Sequence, residues 1–257
     1  YDTSLSAKSI NTPHYKLSKL LLFNKTINDT LFFKSTFKGG NIEQEKFNLD
    51  FYYTINKDKK SVLGLEKSSF NYKGNIWDLN PTNNTENKLV FDLNNDEYIF
   101  SPFKLKSKEQ EINFKGVLRD TIYKELEVGF AGVNLTSFLP EIDSLKLKGK
   151  LDGIINISQN GGIYSPKGNL TVENFHINNF KQGNLSLSVE GTSSYDKYDV
   201  NLSLNREKVK NISATGSLDF SSQRPKIDLL VFINEFQLNA FSPLGENVLS
   251  KIRGTAT

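Results

Sequence analysis

The sequence predicts an all-β protein built from an elongated, curved, antiparallel-rich sheet, and three observations support this prediction. Alanine occurs only five times, whereas phenylalanine and tyrosine together occur 29 times, and this balance favours strands over helices. Apolar and polar residues alternate through many short segments. Turn-forming clusters of Gly, Asn, Ser and Pro separate these segments at intervals of roughly ten to fifteen residues, as in a meander.

The alternating segments predict the individual strands. In chain order, the clearest are 47–55, 89–93, 112–118, 145–151, 185–189, 200–204 and 227–233. Successive side chains of a strand point to opposite faces, so strict alternation indicates one buried face and one wet face. A parallel sheet that is buried on both faces would show continuous apolar runs instead. About fifteen strands are expected in all.

Helix is expected only as one or two short turns. Apolar residues have helical spacing at three places, namely Leu17, Leu20 and Leu21; Leu135, Phe138 and Leu139; and Leu238, Phe241 and Leu244. Pro140 and Pro243 limit the second and third of these segments to one or two turns, because proline disrupts a helix interior.

Two stretches of the sequence, at about residues 112–151 and 212–256, resemble each other. The matched positions include Gly116 with Gly216, Leu126 with Leu229, and Val128 with Val231. Both stretches then carry a Leu-x-x-Phe-x-Pro element, which begins at Leu135 and at Leu238. A unit that repeats and can be extended favours a stacked β architecture. We therefore expect residues 1–257 to form one continuous, repeat-built segment of a longer protein.

The composition argues against most chemistry. The chain has no Cys and only two histidines, so it offers no disulfide framework, no thiolate metal site and no thiol nucleophile. The net charge of +3 is too small to indicate a nucleic-acid-binding protein. No nucleophile elbow, phosphate-binding loop or zinc-protease motif occurs. We expect a protein that is not an enzyme, with no cofactor, no catalytic residues and no metal site.

Three weaker signals remain. Asp92, Asn94 and Asp96 alternate as calcium ligands can, but a polar hairpin is the favoured interpretation. His176 lies between apolar neighbours and is expected to face solvent. Two lysine ladders are expected to keep strands soluble and to protect sheet edges, with binding of anionic head groups as the alternative; they comprise Lys104, Lys106 and Lys108, and Lys146, Lys148 and Lys150.

The amount of one-sided apolar strand is the most informative feature. With few helices to cover them, the strands must pack on one another as a sandwich or barrel, or line a groove. An open groove is an exposed apolar surface, which usually marks a binding site. An acyl chain is a natural ligand for it, because each buried CH₂ group contributes about 0.8 kcal/mol.

The order of several motifs then resembles a known family. These motifs are Trp77-Asp-Leu-Asn-Pro81, Ile112-Asn-Phe-Lys-Gly116, Val133-Asn-Leu-Thr-Ser-Phe-Leu-Pro140, Leu147-Lys-Gly-Lys-Leu-Asp-Gly153, Tyr164-Ser-Pro-Lys-Gly168 and Ser250-Lys-Ile-Arg-Gly254. From about Thr30 onward the chain resembles the TamB family of translocation and assembly module subunits, within the AsmA-like group of bridge-type lipid-transfer proteins. The resemblance implies a U-shaped "β-taco" with an apolar groove. It also implies a periplasmic location, as part of an inner-membrane-anchored protein of a two-membrane bacterium.

The first functional hypothesis follows from this resemblance. The groove would carry phospholipid acyl chains between the inner and outer membranes and so support outer-membrane biogenesis. The expected lining is Phe47, Leu49, Phe51, Phe91, Phe114, Leu126, Val128, Leu170, Val172, Leu185, Leu187, Val189, Leu202, Leu229 and Val231.

Two alternatives stay open. One is a scaffold or chaperone that accepts strands of outer-membrane barrel proteins, together with a TamA- or BamA-like barrel partner bound through other regions. The other is a closed β-sandwich for adhesion or glycan binding. Because the chain has only one tryptophan, Trp77, an aromatic platform for sugar binding is disfavoured.

Overall fold

A computed structural model describes residues 2–11, 16–39, 45–139, 146–192, 194–207, 209–234, 236–237 and 255–256. These residues form twenty strands and one short helix, and 18 of the strands belong to one sheet. The predicted all-β, antiparallel-rich fold with a short helical turn is confirmed. The chain divides into two compact units, residues 1–126 and residues 127–257.

The first unit contains ten complete strands. They are β1 (Asp2–Asn11), β2 (Lys16–Ile27), β3 (Thr30–Gly39), β4 (Glu45–Ile55), β5 (Ser61–Leu65), β6 (Ser68–Tyr72), β7 (Asn75–Leu79), β8 (Lys88–Asp92), β9 (Glu97–Ser107) and β10 (Gln110–Arg119). Strand β11 (Tyr123–Asn134) begins in this unit and ends in the second.

The second unit continues with a short helix and nine strands. They are α1 (Leu135–Phe138), β12 (Leu147–Asn160), β13 (Ile163–Tyr164), β14 (Lys167–Ile177), β15 (Phe180–Gly191), β16 (Lys197–Arg206), β17 (Val209–Asp219), β18 (Lys226–Ile233), β19 (Phe236–Gln237) and β20 (Thr255–Ala256). Strands β12, β14, β15, β16, β17 and β18 pair in that order, each antiparallel to the next.

In the first unit, the antiparallel sheet splits into two branches of short strands between the long strands β4 and β9. Strands β1 to β4 pair in sequence, and β4 then pairs with β5 over one half of its length and with β6 over the other. Two short ladders, β5–β8 and β6–β7, therefore lie side by side. Both β7 and β8 pair with β9, so the division closes at that strand.

The loop 80–87 joins the two short ladders through a buried asparagine. The side chain of Asn80 is 1% exposed, and its Nδ2 donates to the carbonyl oxygens of Leu65 (2.7 Å) and Asn84 (2.9 Å). Its Oδ1 accepts from the Asn84 amide at 2.7 Å, and its own amide donates to the Lys104 carbonyl. Asn80 thus satisfies backbone groups that the divided ladders leave without a regular strand partner.

One predicted helix is wrong. Leu17, Leu20 and Leu21 lie in strand β2. Lys19 has φ 54° and the β2–β3 register shifts between Ser18 and Leu21, so a bulge interrupts the strand there. The extra residue breaks the alternation and creates the three- and four-residue spacing that a helix would show. The helical turn predicted at Leu135 is confirmed as α1, and the one at Leu238 lies outside the described residues.

The internal repeat stays a prediction, but two of its matched glycines share one geometry, which Gly153 and Gly183 also approach. Gly116 has φ 158° and Gly216 has φ 157°. Each lies directly against the partner strand, so an added Cβ would overlap the carbonyl oxygen of Glu125 or Asp228, respectively. Such close approach of two backbones is a reason for glycine inside a strand.

Candidate functional site

The second unit carries three apolar rows that cross six strands in register. The rows are Leu151, Val172, Leu185, Leu204, Ile212 and Ile233; then Gly153, Leu170, Leu187, Leu202, Ala214 and Val231; and then Ile155, Gly168, Val189, Val200, Gly216 and Leu229. Directly opposed residues of antiparallel strands share a face. The eight predicted lining residues of β14, β15, β16 and β18 therefore lie together on one face of this unit.

The opposite face of the same strands is polar. It carries the intervening rows, of which one consists of Asp152, Thr171, Ser186, Ser203, Ser213 and Phe232, and the next of Ile154, Asn169, Ser188, Asn201, Thr215 and Leu230. Hydroxyl and amide side chains dominate between β14 and β17. The alternation predicted from the sequence thus separates an apolar face from a wet one in this unit.

The burial of the apolar face decreases from one end to the other. Next to the helix, α1 packs against β12, and Val133, Leu135 and Leu151 are at most 6% exposed. In the row that begins at Ile155, every residue is only half-buried. The described residues of the second unit place no second layer over that row, and its half-buried side chains keep an accessible apolar surface.

The far end of this face is bordered by aromatic residues. The rings of Tyr164 and Tyr195 meet edge to face at 4.4 Å, and those of Tyr198 and Phe220 at 6.3 Å. The Tyr198 hydroxyl also donates to the carbonyl oxygen of Tyr195. Tyrosine combines an apolar ring with a polar tip, so it suits the boundary between an apolar surface and water.

The first unit has an apolar face of a different composition, dominated by aromatic rings. Phe47 stacks between Phe37 (4.7 Å) and Phe70 (5.7 Å), and Phe70 lies opposite Trp77. Four strands therefore contribute one aromatic row. Such pairs contribute roughly 0.5–1.5 kcal/mol each beyond the area they bury.

The remaining lining residues of the first unit belong to the same face. Phe51 stacks on Phe33 at 4.8 Å. Leu49 lies between Phe47 and Phe51 at every second position of β4, so the three side chains share one face. Phe91 lies opposite Tyr98, and Phe114 meets Phe100 edge to face at 5.2 Å. These pairings follow the register from β4 to β10.

Two predicted residues lie on β11. Leu126 is opposite Gly116 in the first unit, and Val128 is half-buried in the second. Among all fifteen predicted lining residues, Val172 is buried and Val231 is 48% exposed, whereas the others are half-buried. Half-burial is the state expected of a ligand-accessible apolar surface, because a closed core would exclude solvent from these side chains.

Several residues of these faces were missed at the level of sequence. Leu151, Ile155 and Leu204 complete the rows of the second unit, and Phe37 and Phe70 complete the aromatic row of the first. The alternation of their own strands could have indicated the first three. Phe70 lies in a strand of only five residues, which is too short for a clear periodic pattern.

The lysine ladder at Lys104 neutralises a carboxylate. Lys104 and Lys106 contact Glu111 at 2.9 and 3.1 Å. Partial burial alone would raise the pKa of Glu111, but hydrogen bonds from Lys104, Asn113 and Lys106 together outweigh it and lower the pKa to about 2. In the second ladder, Lys148 and Lys150 lie on β12 and are exposed, and Lys148 Nζ donates to Asn179 Oδ1 at 3.3 Å.

Glu111 should make the first unit sensitive to acid. Its folded pKa lies below the usual value of 4.5, so its stabilising effect is complete above pH 4.5 and disappears as the pH falls toward 2. We expect Glu111→Gln to lower the free energy of unfolding at pH 7 by about 1–2 kcal/mol and to flatten the stability profile below pH 4.5. Denaturant unfolding across pH 2–7 measures both. The exposed Glu109, changed to Gln, is the control, and equal profiles for the two variants would contradict the assignment.

The two other weak signals have ordinary structural roles. Asp92 begins the turn between β8 and β9, where its carboxylate accepts from the Asn94 amide (3.0 Å) and from Asn95 Nδ2 (2.7 Å). The side-chain hydrogen bond from Asn95 is the main cause that lowers the pKa of Asp92. His176 is half-buried, and its Nδ1 bonds the Asn174 carbonyl at 2.7 Å. The described residues contain no cluster of three or more His, Cys, Asp or Glu side chains arranged to hold a metal ion.

Comparison with known proteins adds no assignment. The sequence matches no protein-family model, no curated protein and no solved structure. Within the described residues, no helix is both long and apolar enough to cross a membrane.

Proposed function

We propose that the protein is a lipid-conveying segment whose apolar faces carry phospholipid acyl chains. The observation that supports this function most is the set of three aligned apolar rows in the second unit, because the outermost row is only half-buried and no other described strand of this unit covers it. An uncovered apolar surface of this extent favours binding over a closed sandwich.

The chemistry needed is limited to burial. An acyl chain that lies along the rows loses contact with water and gains about 0.8 kcal/mol for each buried CH₂ group. Its head group can stay in water beyond the tyrosine border. Neighbouring positions along a row differ little in polarity, so a chain can shift from one strand to the next at small cost. The aromatic face of the first unit supplies a comparable surface.

The location, the direction of transport and the protein partner that we propose are those implied by the family resemblance. They are a periplasmic location within an inner-membrane-anchored protein, transport of phospholipid toward the outer membrane and a TamA- or BamA-like barrel partner. The scaffold alternative places a strand of a barrel protein, in place of an acyl chain, against the same surface or a sheet edge.

A charge on the apolar face should abolish lipid binding. We expect Leu187→Glu to reduce co-purifying phospholipid at least about tenfold, because a carboxylate in the middle row would have to be buried under an acyl chain. Ser188→Glu is the matched control, since Ser188 is the next residue of β15 and lies on the polar face. Mass spectrometry of organic extracts gives the phospholipid content, and circular dichroism verifies that both variants fold.

Equal phospholipid content in the two variants would contradict the assignment of the face. A photo-reactive amino acid at Leu187 and at Ser188 separates the two functions. Phospholipid adducts confined to position 187 support the conduit, whereas adducts with outer-membrane barrel proteins support the scaffold alternative.

A further inference from the structure

Strand β18 forms an edge of the sheet in the second unit. It pairs with β17 from Ile212↔Ile233 to Asp219↔Lys226, and no other described strand of the second unit pairs with its other edge. Ile227 is 66% exposed and Ile233 is 43% exposed. An exposed apolar edge is a template for another strand, and natural proteins usually protect such edges.

The side chains of β18 are apolar on both faces. On the wet side, Leu230 and Phe232 are each 63% exposed, and they continue rows that carry Ser, Thr or Asn on β14 to β17. Asp228 is the one charged residue between Ile227 and Ile233. A continuous apolar run is typical of a strand inside a sheet rather than one at its edge.

The matched stretch of the repeat shows what lies on the corresponding edge. Strand β11 matches β18 through Leu126 with Leu229 and Val128 with Val231. After α1, the chain returns as β12 beside the end of β11, where the Gly132 amide donates to Asp152 Oδ1 at 2.8 Å. The first copy therefore places a β12 strand next to β11.

The second copy begins the same arrangement. Phe236 pairs with Ala256 and Gln237 pairs with Thr255, so β19 and β20 form an antiparallel ladder. The repeat also matches Gly254 with Gly149, so these four residues correspond to the end of β11 and the beginning of β12. The short ladder β19–β20 thus corresponds to the start of a β11–β12 pairing.

We propose that the open edge of β18 is the acceptor for one more antiparallel strand of the β12 type, which continues directly from β20. Its backbone would bond the amides and carbonyls of β18 that point away from β17, as in β-strand addition. Its side chains would extend the three apolar rows by one position on one face and cover part of Leu230 and Phe232 on the other. The proposal does not depend on the ligand that the apolar face carries.

The test extends the chain by one strand. Residues with the sequence of 153–160 are added after Thr257, which aligns with Asp152, so that the added apolar residues face the rows. We expect hydrogen exchange of the β18 amides that point away from β17 to slow at least about tenfold relative to the 257-residue chain, because these amides gain partners. The matched control carries one serine between Thr257 and the same extension, which turns every added side chain to the wrong face.

Three results would overturn the proposal. One is the same exchange rate in the extended and original chains. Another is equal protection by the in-phase and shifted extensions, which would indicate unspecific collapse. The third is protection of β18 in the original chain together with a dimeric mass in light scattering, which would make a second copy the occupant.

Discussion

Replacing Asn80 by glycine is expected to lower the free energy of unfolding of the first unit by about 3 kcal/mol. The side chain makes three hydrogen bonds, to Leu65 and twice to Asn84, and it is 1% exposed. Each net bond contributes about 1 kcal/mol, and a buried carbonyl left without a donor costs about 1–3 kcal/mol. Glycine keeps the backbone conformation available, since Asn80 has φ 48°.

Asn83 offers a matched control for this substitution. It belongs to the same loop and has φ 52°, and its side chain is exposed and bonds only the Lys67 amide among the described residues, through Oδ1 at 3.0 Å. Asn83→Gly should therefore cost less than about 1 kcal/mol. Trp77, the single tryptophan, is 3% exposed in neighbouring β7, so its fluorescence during denaturant unfolding reports on this part of the fold. Similar midpoints for the two variants would show that loop 80–87 does not join the two ladders as described.

The role of Asn80 also shows where sequence reasoning stops. Asn80-Pro-Thr-Asn-Asn84 predicts a turn, and a turn is present, but the sequence does not reveal that the Asn80 side-chain amide also donates to the carbonyl oxygen of Leu65, 15 positions away. Such a partner depends on the division of the sheet between β4 and β9. This division requires four five-residue strands that individually carry little periodic signal.

Regular alternation was, by contrast, a reliable guide. The predicted residues of β14, β15, β16 and β18 share a face because the hairpins that join these strands keep them in register, and the period of two then fixes the side of every residue. The same reasoning failed at Leu17–Leu21 because a bulge inserts one residue into β2. A bulge shifts the apolar–polar alternation of a strand by one residue, and a single sequence gives no signal of where this shift occurs.

The largest effect in the second unit is expected at Gly216. Replacing it by alanine should lower the free energy of unfolding by about 2–4 kcal/mol, because a Cβ would overlap the Asp228 carbonyl oxygen and lie against the Leu229 backbone. Alanine is also strained at φ 157°, a conformation that side-chain-bearing residues rarely adopt. The neighbouring strand would have to move away, which breaks the β17–β18 ladder locally.

Gly162 provides the control, since an added Cβ there meets no atom within 4 Å. Gly162→Ala should change stability by less than about 0.5 kcal/mol. Unfolding followed by circular dichroism gives the free energies, and amide exchange in β17 and β18 locates the disruption. Equal stability of the Gly216 and Gly162 variants would mean that the two strands do not approach as closely as described.

The same substitution at Gly116 tests the internal repeat, because the costs of the two substitutions in free energy of unfolding can be compared. Gly116 has the same conformation as Gly216, and an added Cβ would overlap the Glu125 carbonyl oxygen and approach Leu126, the residue that matches Leu229. If the two stretches are one structural unit used twice, Gly116→Ala and Gly216→Ala should cost the same within about 1 kcal/mol, since both remove the same close contact between backbones. Gly153 and Gly183 lie outside the matched pairs, and an added Cβ at either would also overlap a partner-strand carbonyl oxygen, so their alanine variants are the controls. A difference between the Gly116 and Gly216 variants as large as their difference from these controls would leave the sequence likeness without a structural basis.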